Sequence, residues 1–354
     1  MTRVLLLTTG GTIASRRGDQ GLEPQISARG LLEYMSDLRA HYHIDARDIL
    51  NLDSSNIQAE EWQTIARAVM ENLDAYDGIV ITHGTDTMAY TASVLSYMLQ
   101  NLTKPVVLTG SQMPIDNLLT DARNNLYTAF SAVDCRIPGV SIAFDHKLIR
   151  GCRAVKVRTM GFEAFESVNA PYLGEVFANG IHRNESAIRP GDPSRPTRLL
   201  DRLCPDVFLL KLIPGTNPAV FSMLMDMHYR GIVLETFGAG GMHFLRRNLL
   251  DRLGELTAHG VSVVACSQCL YESSDLSIYE VGQRLLECGV IPGRDMTTEA
   301  AVTKLMWALG QTGDVAAFQE LFYKTINHDL LFWDGDPAQV RDIFDSNLAG
   351  EVTL

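Results

Sequence analysis

The sequence predicts an α/β protein of two domains. The larger, N-terminal one is built on a mostly parallel sheet with helices on both faces, and the smaller C-terminal one is also α/β. Three observations lead there. Short apolar runs alternate with amphipathic helical spacing, several runs end in glycine and threonine turns, and a proline-rich stretch divides the chain past its middle. At 354 residues there is room for two cores of ordinary size.

The elements follow in order. Residues 4–9, 78–82, 105–109 and 139–144 read as strands, and 49–52 is strand-like. Trp62, Ile65, Ala66, Val69, Met70 and Leu73 recur at helical spacing, as do Met88, Ala92, Leu95 and Leu99. Residues 189–197 hold three prolines and a glycine and read as a linker. The expected division is therefore a domain at 1–188, a linker at 189–205 and a second domain at 206–354. In the second domain 207–212, 231–235 and 261–265 read as strands, and 218–229, 246–259 and 298–309 as helices. In such a fold ligands bind outside the carboxyl ends of the strands.

Composition narrows the function classes. Hydrophobic residues at 46% and charged residues at 20% are globular values and argue against disorder. A net charge of −12 argues against nucleic-acid binding, which needs a basic stripe. No apolar stretch approaches the roughly 20 residues that span a bilayer, so no membrane role is expected. The apolar start is too short for a secretory signal, and the six cysteines lack the spacing of a disulfide framework, so a cytoplasmic location is expected. Cys266-Ser267-Gln268-Cys269 has no second pair to complete a zinc site and reads as buried small hydrophobes. No histidines show paired ligand spacing; no metal or cofactor is expected.

Four stretches can carry chemistry. Thr8-Thr9-Gly10-Gly11-Thr12 ends the first strand, so Thr12 is either a held nucleophile or part of a structural turn. Its spacing fits neither G-x-G-x-x-G nor the phosphate-cradling G-x-x-x-x-G-K-[ST]. Gly84-Thr85-Asp86-Thr87 precedes a helix: these residues either cap it or present Thr85, with Asp86 facing a substrate ammonium. Asp53-Ser54-Ser55 reads as turn chemistry or as a third strand end on the same crevice. Lys156 is either a surface charge or a desolvated base for an alcohol nucleophile.

Taken together and in this order, these stretches resemble the bacterial-type L-asparaginases. Thr109-Gly110-Ser111-Gln112-Met113-Pro114, Lys211-Leu212-Ile213-Pro214-Gly215-Thr216-Asn217-Pro218 and Met296-Thr297-Thr298-Glu299-Ala300 extend the resemblance over nearly the whole chain. Asp53-Ser54-Ser55 is similar to the cytoplasmic type I branch. The resemblance implies a catalytic set of Thr12, Thr85, Asp86 and Lys156, and a substrate-binding set of Asp53, Ser54, Ser55 and Asp86. Thr12 would attack the side-chain amide of L-asparagine to give an acyl-enzyme and ammonia, with L-glutamine a weaker substrate. Lys156 would accept a proton from Thr85; Ser54 and Ser55 would hold the α-carboxylate, and Asp86 the α-ammonium. A homodimer or homotetramer is implied. Many relatives carry a tyrosine on the loop after the first motif, where Leu22 stands here; this leaves open what takes the proton from Thr12. Two rival readings are an ammonia-generating subunit of a tRNA-dependent amidotransferase, whose members carry an extra N-terminal segment, and a non-catalytic amino-acid-binding module.

Overall fold

The computed structural model describes residues 1–18 and 21–330. The chain divides into two compact units, Met1–Asp201 and Arg202–Leu354. The first is organised on an eight-stranded sheet. From one edge to the other its strands are Gly180–Arg183, Gly174–Phe177, Lys147–Arg150, Gly139–Phe144, Pro105–Thr109, Gly78–Thr82, Thr2–Gly10 and Tyr42–Leu52. The last five named are mutually parallel, as the alternating pattern predicts. The other three extend the sheet as an antiparallel meander that the sequence pattern did not indicate.

Continuous apolar runs form the central strands because both of their faces are covered. Val4 and Leu6 share one apolar cluster with Leu126, Phe130 and Val133 of the helix Ala122–Asp134. Leu5 and Leu7, which alternate to the other face, are equally buried. The edge strand Tyr42–Leu52 alternates buried or half-buried with exposed positions through Arg47, and its charged residues blunt the edge.

The order of connection matters for the site. From Thr2–Gly10 the chain moves to Tyr42–Leu52 on one side, then crosses to Gly78–Thr82 on the other side of the first strand. The first strand is therefore the topological switch point, and a crevice opens at its carboxyl end.

The second unit carries a parallel sheet of Val207–Lys211, Gly231–Thr236, Ser262–Ser267 and Ile291–Pro292 in that order. The three expected helices are Ala219–Asp226, Leu250–Ala258 and Thr298–Gln311, the first two shorter at both ends than expected and the third starting as expected and running two residues further. The last lies so close to the sheet that a Cβ at Gly231 would sit 2.9 Å from both Leu305 and Leu309. Its Lys304 is fully buried, ion-paired with the equally buried Asp329 at 2.5 Å and donating to the Lys324 carbonyl at 2.8 Å. Cys266 fits the expected buried hydrophobe, with burial pushing its thiol up to about 12. Cys269 does not: it lies exposed beyond the strand end, and both thiols are free.

Candidate active site

Three strand ends of the first unit meet through close backbone contact. Gly10 and Gly11 adopt φ of 104° and 79°, which glycine alone adopts without strain. A Cβ on Gly10 would lie 2.4 Å from the Leu52 carbonyl oxygen, and one on Gly11 2.4 Å from the Gly84 nitrogen. A Cβ on Gly84 would in turn meet Ser54 Oγ at 2.6 Å. The turns bearing Thr12, Ser54 and Thr85 are thus stacked directly on one another.

The Thr12 turn is rigid. Residues Thr12–Ala14 form a single 3-10 turn with Ile13 and Ala14 buried. Ser15 Oγ donates to the Gly11 carbonyl at 2.9 Å, and the Ala14 carbonyl accepts from Gln25 and Ile26 at 2.9 and 2.8 Å. Within this frame Thr12 is half-buried, and its hydroxyl has no hydrogen-bond partner among the described residues. The hairpin that follows pairs Ser15–Gly18 with Gly21–Pro24. The side chain of Leu22, and residues 19 and 20 beside it, lie outside the described residues.

The second turn does not behave as a simple helix cap. Thr87 is the residue before the helix Met88–Met98, yet its hydroxyl makes no capping bond and donates instead to the Ser54 carbonyl at 2.7 Å. Thr85 is buried, and its Oγ1 accepts from Lys156 Nζ at 2.8 Å. The same ammonium donates to Asp86 Oδ1 at 2.6 Å. Lys156 keeps only 16% of its side chain exposed, against 65% for Asp86. The lysine is therefore a desolvated group held between a hydroxyl and a carboxylate, and not a surface charge. It ends the short strand Ala154–Lys156, which pairs with Phe165–Ser167.

Asp53 acts as the cap that Thr87 is not. Its Oδ1 accepts from the Ser55 hydroxyl at 2.6 Å and the Ser55 amide at 2.8 Å, and these two bonds hold its carboxyl below the usual range. Ser55 is exposed with its proton engaged, while Ser54 is buried against Gly84.

Two further residues that hold the site's turns carry no role in the sequence reading. His83 is fully buried, and desolvation pushes its imidazole down to about 4. Its Nδ1 lies 2.7 Å from the Gly84 carbonyl, which can only accept, so Nδ1 carries the proton. Nε2 then accepts from Thr91 Oγ1 at 2.9 Å, and Thr91 accepts from Trp62 Nε1 at 2.9 Å. This neutral relay fixes the Gly84–Thr85 peptide, and being trans, that peptide turns the Thr85 N–H to the side away from His83. That N–H has no partner among the described residues. The second residue is Gln112, whose Oε1 accepts from Thr85 Oγ1 at 3.2 Å while its Nε2 donates to the Thr159 and Gly161 carbonyls. Its signals in the sequence are its place just past the strand Pro105–Thr109 and its membership of the stretch 109–114 that extends the family resemblance.

Among the described residues the arrangement offers a hydroxyl without a partner, a second hydroxyl tied to a lysine, and an unpaired backbone N–H. These are the parts of an acyl-transfer site. Among the described residues no cluster of metal-ligating side chains occurs, and no helix is long and apolar enough to cross a membrane.

Comparison with known proteins agrees. Residues 3–189 match the family "Asparaginase, N-terminal", and residues 206–322 match the "Glutaminase/Asparaginase C-terminal domain". An L-asparaginase of Thermococcus kodakarensis is 44% identical over 99% of both chains. The solved structure of the thermostable L-asparaginase from that organism superposes with a TM-score of 0.87, covering 93% of this chain and 99% of that one. L-asparaginase 1 of Escherichia coli K12 is 34% identical, covering 91% of this chain and 96% of its own. A glutamyl-tRNA(Gln) amidotransferase subunit of Methanothermobacter thermautotrophicus is 36% identical over 99% of this chain but 76% of that protein. With both family domains matched and full-length relatives well above 30% identity, the chain belongs to the asparaginase family.

Proposed function

We propose that the protein hydrolyses L-asparagine to L-aspartate and ammonia. The observation that carries this is the bonded trio Lys156–Thr85–Asp86, next to a hydrogen-bonded turn whose Thr12 hydroxyl is unengaged among the described residues. Thr12 adds to the side-chain amide carbon, and the developing oxyanion is met by backbone N–H groups such as that of Thr85. Collapse expels ammonia and leaves a β-aspartyl ester on Thr12. Water then attacks the ester while Lys156, in its amine form, takes the water proton relayed through Thr85, and that proton passes on to the departing Thr12 oxygen as L-aspartate is released. Asp86, largely exposed and with one oxygen engaged by Lys156, holds the substrate ammonium through the other. Ser54 and Ser55 face the α-carboxylate on a turn that Asp53 caps. L-Glutamine, one methylene longer, is the poorer substrate; such a difference is worth about 1–3 kcal/mol. The working form is a cytoplasmic homodimer or homotetramer, a state that sedimentation would read.

Ammonia release from L-asparagine by the purified chain, lost in Thr12→Ala, tests the reading. Likeness to the amidotransferase subunit favours one alternative, in which ammonia is released only when a partner and a charged tRNA are present. Steady release by the isolated chain removes that alternative. An absence of release under both conditions points to an amino-acid-binding module instead.

A further inference from the structure

We propose that Gln112 is a positioning residue, bracketing Thr85 and the loop after Lys156 so that hydroxyl and ammonium stay in register. The proposal rests on the roles given above to Thr85 and Lys156. Gln112 Nε2 lies 3.2 Å from the Thr159 carbonyl and 3.0 Å from that of Gly161. Carbonyls only accept, so the amide nitrogen must face them and Oε1 must face Thr85. Oε1 has no proton to give, so the 3.2 Å bond to Thr85 carries the threonine's own hydrogen. The 2.8 Å bond between Thr85 and Lys156 then carries a lysine hydrogen. With Lys156 as the ammonium, Gln112 therefore fixes which way the Thr85 hydroxyl points and keeps an oxygen lone pair turned to Lys156; with Lys156 as the amine, the Thr85 hydrogen turns to it while the Gln112 grip on the loop holds the nitrogen in place.

The same side chain fixes the lysine from behind. Residues 157–164 form the loop between the paired strands Ala154–Lys156 and Phe165–Ser167, closed by a 2.8 Å bond from Val157 N to the Ala164 carbonyl. The two carbonyls that Gln112 grips lie three and five residues beyond Lys156. Gln112 is itself anchored, its backbone N–H meeting both Asp121 oxygens at 3.1 and 3.0 Å. Met160 and Phe162, on the gripped loop, are 86% and 43% exposed. A surface loop is thus mechanically connected to the hydroxyl of Thr85 through one amide.

Three measurements test this. In Gln112→Met, kcat for ammonia release falls about tenfold or more while KM stays within about twofold, because the substrate-holding turns are untouched; kcat within twofold of the parent overturns the proposal. Gln112→Glu supplies the conservative rescue. As a carboxylate it opposes two carbonyl oxygens, whereas as a carboxylic acid it accepts from Thr85 and donates to the loop, as the amide does. Its kcat relative to the parent rises as pH falls from about 8 to about 5, because a half-buried carboxyl facing two carbonyl oxygens protonates above the ordinary carboxylate range; a flat ratio counts against it. The third measurement needs no turnover. In Met160→Trp, the indole emission shifts when Thr85→Val is added, and does not shift when Gln112→Met is already present. Equal shifts in both backgrounds overturn the connection. A parent that releases no ammonia but shows this difference sinks the asparaginase reading and leaves the bracket standing.

Discussion

The hydroxyl of Thr87 donates to the carbonyl of Ser54 at 2.7 Å, joining two turns that lie 33 residues apart in sequence. The bond spends on a neighbouring loop a side chain placed to cap its own helix. The consequence is that the serine turn cannot move without the turn that carries Thr85 and Asp86. Thr87→Val is expected to cost about 1 kcal/mol of stability, the net worth of one such bond. Because the loosened turn is the one assigned to the substrate carboxylate, KM for asparagine rises several-fold with kcat nearly unchanged. A variant with lowered kcat and unaltered KM would instead place the turn in the chemical step.

Lys156 is held by a hydroxyl and a carboxylate in one geometry. Lys156→Met removes the group proposed above to take the proton and is expected to lower kcat about 10²–10⁴-fold, the usual worth of general-base help. Lys156→Arg should rescue little, since a planar guanidinium does not fit the point contact between Thr85 and Asp86. Steady-state rates at saturating asparagine decide; an arginine variant near parental activity would mean that the position serves only by its charge.

Much of this was legible in the sequence, for a physical reason. The strands Gly78–Thr82, Pro105–Thr109 and Gly139–Phe144 are continuous apolar runs because both faces are buried, so their bounds could be read directly. The meander strand Gly180–Arg183 is almost wholly exposed and has no periodicity to read. Only 49–52 of the edge strand Tyr42–Leu52 stood out, because its first half alternates with charge. At the site, motif order brought Thr85, Asp86 and Lys156 together. Gln112 stood out only as part of the stretch 109–114; its role stayed hidden because it depends on two carbonyls nearly fifty residues away, and a backbone carbonyl leaves no mark in a sequence.

Two buried groups shift stability with pH in opposite senses. His83 is pushed down to about 4 from the ordinary 6.5, so the unfolded chain binds its proton first as pH falls. Its contribution is complete above about 6.5 and is lost toward 4, on the order of 3 kcal/mol in all. Glu299 runs the other way: burial, then the neighbouring Glu235 carboxylate, raise it to about 7, against opposing bonds from its own amide and Thr297. Its contribution is complete below about 4.5 and is lost as pH rises through 7. The two cancel in large part between these limits. Glu299→Gln should therefore unmask the histidine, giving an unfolding free energy that rises with pH from about 4 to 6.5 more steeply than in the parent. Denaturant titrations at several pH values read this directly, and parallel curves for variant and parent would mean that Glu299 does not hold its proton.

The pair Lys304–Asp329 makes the last prediction, and it concerns the second unit alone. Both side chains are completely buried at 2.5 Å, with the ammonium also bonded to the Lys324 carbonyl and the carboxylate accepting from the Ile326 amide at 2.9 Å. The pair ties the helix Thr298–Gln311 to residues 324–329. Removing one partner strands a charge away from water, so Asp329→Ala should destabilise this unit by roughly 3–5 kcal/mol. Replacing both, as in Lys304→Met with Asp329→Leu, removes the charges and their desolvation together and should recover most of the loss. The double-mutant cycle in chemical denaturation separates two accounts. Strong coupling identifies an ion pair that is needed only because its members are charged. If the double variant is as unstable as the sum of the singles, the hydrogen bonds to Lys324 and Ile326 are what hold the segment in place.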